Sequence, residues 1–252
     1  MKQAIQEKLT HIARTEPLHF LLAVESGSRA WGFASPDSDY DVRAIYIRPQ
    51  PYYLQIDEAK DTFEFIENQW FDVGGWDIRK ALRLLRKSNA TLLEWLRSPM
   101  VYTQNDDFTG RLNALALQYV QAAALLHHYR GIAGNALRNM DLAHPVKLKK
   151  WFYVLRPLLA ARWAVKQGGI PPMTLAELMS EWQTDYAAQI ADLVAIKAEQ
   201  DESYLHMLSP ELQRLIIDLY NEVSELSAPA VQTADSGPLN ELFRETLVAV
   251  NG

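Results

Sequence analysis

The chain has 252 residues, 48% of them apolar and 22% charged, with a net charge of -6. That is enough apolar material for one large domain or two small ones, and it excludes a chain disordered throughout. Mild acidity excludes coating nucleic acid or anionic membrane by bulk charge, and the absence of cysteine excludes disulfides, thiol nucleophiles and cysteine-zinc sites.

In chain order, residues 2–14 place Ile5, Leu9 and Ile12 on one helical face, and Pro17 ends that helix. This N-terminus has no signal-peptide apolar core, and no run of about 18 or more apolar residues occurs, so a soluble cytoplasmic protein with no membrane partner is expected. The run LHFLLAVE (18–25) reads as a buried strand, SGSRAWG (26–32) as a turn into a short helix, and SPDSD (35–39) as turn chemistry. YDVRAIYI (40–47) reads as a second strand, ended by Pro49 and Pro51. Residues 61–67 and 69–73 are predicted as further strands. Asp77 then caps a helix running to Lys87, with Ile78, Ala81, Leu82 and Leu85 on its apolar face. TLLEWLRS (91–98) is a short helix. From about residue 106 helical patterns take over, roughly 107–139, 145–167, 174–200, 209–226 and 238–249. Residues 141–166 carry six Lys/Arg and one acid, whereas 176–226 carry eleven acids and two bases. The expected organisation is α+β: residues 1–105 as a small mixed sheet with helices, and residues 106–252 as an all-helical domain.

The segment GSRAWGFASPDSDYDVRAIYI carries the chemistry. A strand ends at Glu25, and the turn through Ser26, Gly27 and Ser28 offers backbone N–H groups to an anion such as phosphate. Gly27 lets the backbone approach closely, and Ser28 adds a hydroxyl. Asp39 and Asp41 flank Tyr40, and the two-residue strand period points both carboxylates to one side. Two close carboxylates beside a phosphate site repel unless a cation neutralises them, and Mg²⁺ takes one or two carboxylates together with phosphate oxygens. A third carboxylate would complete a two-metal clamp.

Gly27-Ser28, ten intervening residues and Asp39-Tyr40-Asp41 resemble the GS…DxD signature of the DNA polymerase β-like nucleotidyltransferase superfamily. The strings FDVGGWDIRKALRLLRKSNATLLEWLRSP and VKLKKWFYVLRPLLAARW resemble a bacterial and phage branch associated with RNA repair. The resemblance spans nearly the whole chain to about residue 172. It implies a polymerase β-like nucleotidyltransferase domain followed by a helical domain, with the active site in the cleft between them. It also implies that Gly27 and Ser28 hold nucleotide phosphates and that Asp39 and Asp41 bind Mg²⁺ or Mn²⁺. A third carboxylate from a neighbouring strand is expected. Asp72, at a strand end, is the first choice, Asp77 the second, and Glu64 and Glu67 follow. The implied reaction transfers a nucleoside monophosphate from an NTP to an acceptor hydroxyl and releases pyrophosphate.

Several basic residues are secondary candidates. Arg43 shares a strand face with Asp39 and Asp41 and would contact phosphate, orient Asp41, or form a structural ion pair. Arg29 would reach a phosphate or lie in solvent. Lys80, Arg83 and Lys87 form a basic helix face that would meet triphosphate or RNA, although such faces are commonly just solvated. Lys149 and Arg156 are the nucleotide-binding candidates of the second half. His127 and His128 are adjacent on a helix and do not share a face, so a two-ligand metal site is not expected. The tryptophans read as core, and the acidic helices as a solvated face or, less favoured, an interface for a basic partner. RNA is the first acceptor expected, then protein hydroxyls, then a small molecule. Two readings compete: a non-catalytic RNA- or partner-binding module on the same fold, and an antitoxin-like protein nucleotidyltransferase.

Overall fold

A computed structural model describes residues 1–68, 71–182 and 184–251. By packing, the chain forms two compact units. The first contains residues 1–27, 39–120 and 233–252, and the second contains 28–38 and 121–232. The expected single boundary at residue 105 does not describe this division. The helix after 105 and the last helix belong with the sheet, and the segment after Gly27 belongs with the helices.

The first unit is built on a mixed sheet of five strands in the order β3-β4-β2-β1-β5. The strands are β1 (His19–Ser26), β2 (Tyr40–Ile47), β3 (Thr62–Asn68), β4 (Phe71–Asp77) and β5 (Val101–Gln104). β1 pairs antiparallel with β2 and β5, β3 antiparallel with β4, and β2 parallel with β4. Of the strand predicted over 69–73, Gln69 and Trp70 lie outside the described residues, and the rest begins β4.

Helix α1 (Lys2–Thr15) covers one face of the sheet. Its Ile5, Leu9 and Ile12 are buried with Ala23, Val42, Ala44 and Val73. Because strand side chains alternate, Asp41 and Arg43, the odd-numbered neighbours of Val42 and Ala44, face away from α1. Helices α2 (Gly27–Trp31), α3 (Ile78–Arg86) and α4 (Ala90–Trp95) follow in chain order. α3 starts where Asp77 accepts a hydrogen bond from the Arg79 N–H, as expected of a cap, and packs its Ile78, Ala81, Leu82 and Leu85 inward. Helix α5 (Asp106–Tyr119) is capped by Asn105, whose side chain accepts from the Phe108 N–H, and α11 (Gly237–Asn251) packs against α3 and α5.

The second unit contains α6 (Ala122–Arg138), α7 (Leu148–Lys166), α8 (Leu175–Ser180), α9 (Ala187–Glu199) and α10 (Pro210–Glu225). The two-residue strands β6 (Val146–Lys147) and β7 (Leu205–His206) pair antiparallel. The helix predicted over 107–139 is two helices, because Val120 and Gln121 adopt extended backbone. Residues 28–38 pack into this unit through rings. Phe33 stacks on Phe152 at 4.9 Å, and Trp31 meets Tyr153 edge-on at 5.4 Å. Among the described residues no helix is long and apolar enough to cross a membrane.

Gly75 is the tightest glycine of the sheet. A Cβ there would fall 2.1 Å from Phe63 Cε1, on a ring already wedged between Phe20 and Tyr46. Gly75→Ala is expected to lower stability by about 1–3 kcal/mol through overpacking. Urea unfolding followed by circular dichroism checks this.

Candidate active site

β1 ends at Ser26, and Gly27 turns the chain with φ of 65°, a left-handed backbone that favours glycine. A Cβ at Gly27 would lie 2.4 Å from Asp41 Oδ2. The missing side chain is therefore what lets the Asp41 carboxylate rest against the turn. Asp41 is the register partner of Ser26 on β1 and of Asp72 on β4. Register partners on adjacent strands project to the same side, so Asp41 and Asp72 stand beside each other.

Arg43, two residues along the same face, joins the pair. Its Nη2 donates to Asp41 Oδ1 at 3.2 Å and to Asp72 Oδ2 at 2.9 Å. Gly74 faces Arg43 across the strands, and a Cβ at Gly74 would come within 3.2 Å of Arg43 Nη1. All three side chains remain partly open to solvent, at 25% for Arg43, 39% for Asp41 and 37% for Asp72. Ion pairs so exposed add little stability. Asp72 Oδ1 is buried without a hydrogen-bond donor.

These donors suit a hard divalent cation. Carboxylate oxygens are its preferred ligands, and Asp72 Oδ1 has lost water without gaining a partner. Among the described residues, however, no three acidic or histidine side chains gather as a metal-binding group. Asp39 lies exposed just before β2 and is not gathered with Asp41 and Asp72. Two protein carboxylates completed by substrate phosphate oxygens and water are still a set that Mg²⁺ accepts.

The other carboxylate candidates are placed elsewhere. Asp77 is fully buried and serves α3: Oδ1 accepts from the Arg79 N–H at 2.8 Å and Oδ2 from the Tyr53 hydroxyl at 2.7 Å. Burial pushes its carboxyl up from the usual aspartate range, against the pull of those hydrogen bonds and of Arg79. It pairs in register with Tyr46, five residues beyond Asp72, and so is a cap rather than a third ligand. Glu64 is exposed on β3, opposite Gly74. The Glu67 side chain lies outside the described residues.

One acid escaped notice in the sequence. Glu25 is fully buried at the end of β1. Its Oε1 accepts from the Asp41 backbone N–H at 2.7 Å, and its Oε2 accepts from the Tyr102 hydroxyl. It therefore pins the peptide that carries Asp41. The available signal was a charged residue inside an apolar strand run, which is rarely buried without a partner.

In the second unit, the basic and hydroxyl candidates form their own network. Ser28 is only 6% exposed, and its Oγ donates to Ser38 Oγ at 3.1 Å. Ser38 donates to Glu202 Oε1 at 2.9 Å, and Lys149 pairs with Glu202 Oε2 at 2.5 Å. Burial opposes the Glu202 charge, but Lys149 and Ser38 outweigh it and hold that carboxyl below its ordinary value. Lys197, 2% exposed, donates to Ser35 Oγ at 2.7 Å, and burial pushes its ammonium down. The Arg29 guanidinium donates twice to the Ser38 carbonyl, from Nε at 3.1 Å and from Nη2 at 2.5 Å. Arg156 is buried, donates to the Met173 carbonyl at 2.9 Å and lies 4.7 Å from the Trp31 ring. It is a bracket in the helical core, not an open nucleotide ligand. Lys80, in the first unit, pairs with Asp61 at 3.1 Å.

The fold is thus a mixed sheet bearing an aspartate pair beside a glycine turn, with a helical unit. A family model described as RlaP, the RNA repair pathway DNA polymerase beta family, matches residues 1–245, and the chain belongs to that family. It is similar to the uncharacterized protein YcgL of Bacillus subtilis (strain 168), at 40% identity over 204 residues, covering 80% of this chain and 78% of that protein. A solved nucleotidyltransferase-like protein from Exiguobacterium sibiricum 255-15 aligns over 99% of this chain and 90% of its own, with 13% identity and a TM-score of 0.32.

Glu25→Ala leaves the Asp41 N–H and the Tyr102 hydroxyl buried without their acceptor. It is expected to destabilise the protein by about 2 kcal/mol or more, whereas Glu25→Gln keeps an acceptor and loses less. Thermal unfolding of the two variants side by side checks the order.

Proposed function

We propose that the chain is a metal-dependent nucleotidyltransferase that moves a nucleoside monophosphate from an NTP to a hydroxyl of RNA. The observation that carries this reading is the in-register pair Asp41 and Asp72 beside Gly27, whose absent side chain keeps the turn open at the Asp41 carboxylate. RNA as the acceptor is supported by the family's RNA repair description.

In this reading Asp41 and Asp72 would hold Mg²⁺ or Mn²⁺, with Asp39 exposed at the strand entrance. The bound metal would offset the triphosphate charge and polarise the reacting phosphorus centre. Gly27 admits the phosphates close to the backbone. Arg43 offsets part of the charge of the aspartate pair in the free protein and turns a guanidinium N–H to a phosphate oxygen when the substrate arrives. Glu25 keeps the Asp41 peptide fixed while the charge distribution beside it changes. The acceptor oxygen bonds to the α-phosphorus, the bond from that phosphorus to the pyrophosphate oxygen breaks, and the hydroxyl proton passes to Asp72. No side-chain nucleophile is needed, so rate comes from positioning and charge complementarity.

The test is incubation with labelled NTPs, Mg²⁺ or Mn²⁺, and RNA, protein and small-molecule acceptors. Asp41→Asn and Asp72→Asn are each expected to reduce transfer by about a hundredfold or more, through loss of an electrostatic ligand. No transfer to any acceptor, together with no metal-dependent NTP binding, would falsify the reading.

A second reading rests on Arg43. A guanidinium shared by both aspartates is a built-in cation, and it suits a non-catalytic RNA-binding module on the same fold. That reading expects RNA binding that is indifferent to metal in both wild type and Asp41→Asn.

A further inference from the structure

Outside the aspartate pair, the first unit carries a cavity of about 290 Å³ between α3 and α11. Its walls include Arg79, Arg83 and Arg86 from α3, and Ser236, Asn240 and Phe243 from the α11 side. The arginines follow an i, i+4, i+7 pattern, so they lie on one helix face, about 6 Å and then about 4.5 Å apart along the axis. The residues lining the cavity include three guanidinium groups and no carboxylate.

The three arginines differ in how far they are satisfied. Arg79 reaches the Asp77 carboxylate at 3.7 Å and lies 4.7 Å from the Tyr53 ring. Arg86 donates to Ser236 Oγ at 2.6 Å. Arg83 is exposed and has no hydrogen-bond or ion-pair partner among the described residues. Like charges on adjacent turns repel, and among the described residues the ion pair on this row is that of Arg79 with Asp77. Aromatic surface adjoins the row. Phe243 is half-buried in the wall and meets Tyr53 edge-on at 5.2 Å. A nearby acid of α11, Glu245, is drawn away to Arg111.

We infer that this groove seats the sugar-phosphate backbone of a single-stranded RNA, with Phe243 as a platform for a base. Planar guanidinium forks match phosphate oxygens, and a run of them along a helix fits successive phosphates better than it fits one small anion. Guanidinium groups interleaved with aromatic rings are the physical recipe for single-strand binding, because every base has a face to stack. A duplex would hide those faces. The inference rests on the RNA-acceptor reading above and adds the place where the strand is gripped. It also redistributes the basic helix face: Lys80 is taken by Asp61, and Arg79, Arg83 and Arg86 form the row.

The test measures fluorescence anisotropy of a labelled single-stranded RNA with the full chain, in EDTA and without NTP. The Arg83→Ala/Arg86→Ala double variant is expected to bind about tenfold or more weakly, with a shallower salt dependence by roughly 0.7 per lost phosphate contact. Arg83→Lys/Arg86→Lys should recover part of the affinity. Arg138→Ala, which removes a positive charge from the second unit, should leave binding nearly unchanged. Unchanged affinity in the double alanine variant would overturn the inference. An equal loss in Arg138→Ala, or equal affinity for a duplex or an acidic peptide, would do the same. Because neither metal nor NTP is present, binding is read apart from transfer, so RNA bound through Arg83 and Arg86 together with no transfer in the separate assay with NTP and metal would sink only the transferase reading. Transfer that ignores both arginines would sink only this one.

Discussion

The parallel pairing of β2 with β4 is the constraint on which the candidate site depends. It sets Asp41 opposite Asp72 and Arg43 opposite Gly74, and the side-chain period of two does the rest. A shift of the register by one residue would turn Asp72 away from Asp41 and bring Val73 in its place. What resists that shift is the other face of the sheet. Val42, Ala44 and Val73 are buried with Ile5, Leu9 and Ile12 of α1, and the same slip would expose them. The polar geometry on one side is therefore held by apolar packing on the other.

Glycine placement completes that geometry. Gly27 and Gly74 serve the site in different ways. Gly27 combines a left-handed backbone with a carboxylate where its side chain would be, whereas Gly74 has ordinary backbone and simply leaves width for Arg43. Both make room for charge, and Gly27 also supplies the left-handed turn. Glu25 works from below the pair, accepting the Asp41 N–H from a position with no solvent access. A buried carboxylate in that place is tolerable only because donors reach both of its oxygens.

Much of this was legible in the residues. The YDVRAIYI strand matches β2 residue for residue, and Asp77 was readable as a cap because a short acidic side chain precedes an apolar period of a helix. The GS and DxD elements and the choice of Asp72 rest on the family resemblance; the β2–β4 register sets Asp72 beside Asp41, while Asp39 of the DxD element stays apart from the pair. Other features depend on partners far along the chain and leave no local trace. Ser28 and Arg156 look like phosphate ligands in the sequence, yet Ser38 claims the hydroxyl, and Trp31 and Met173 claim the guanidinium. β5 escaped because four residues, VYTQ, are too few to show a period. The break at Val120 and Gln121 escaped because neither residue is a helix breaker.

The path of the backbone has one more consequence. The chain leaves the sheet unit after Gly27, spends residues 28–38 among the helices, and returns at Asp39. It later crosses again after Val120 and after Gln232. Neither unit is a continuous stretch of sequence, so neither can be cut out as a single uninterrupted segment. Insertions would be tolerated in an exposed loop such as residues 54–58, and a fusion or split anywhere in residues 27–39 would break both units at once.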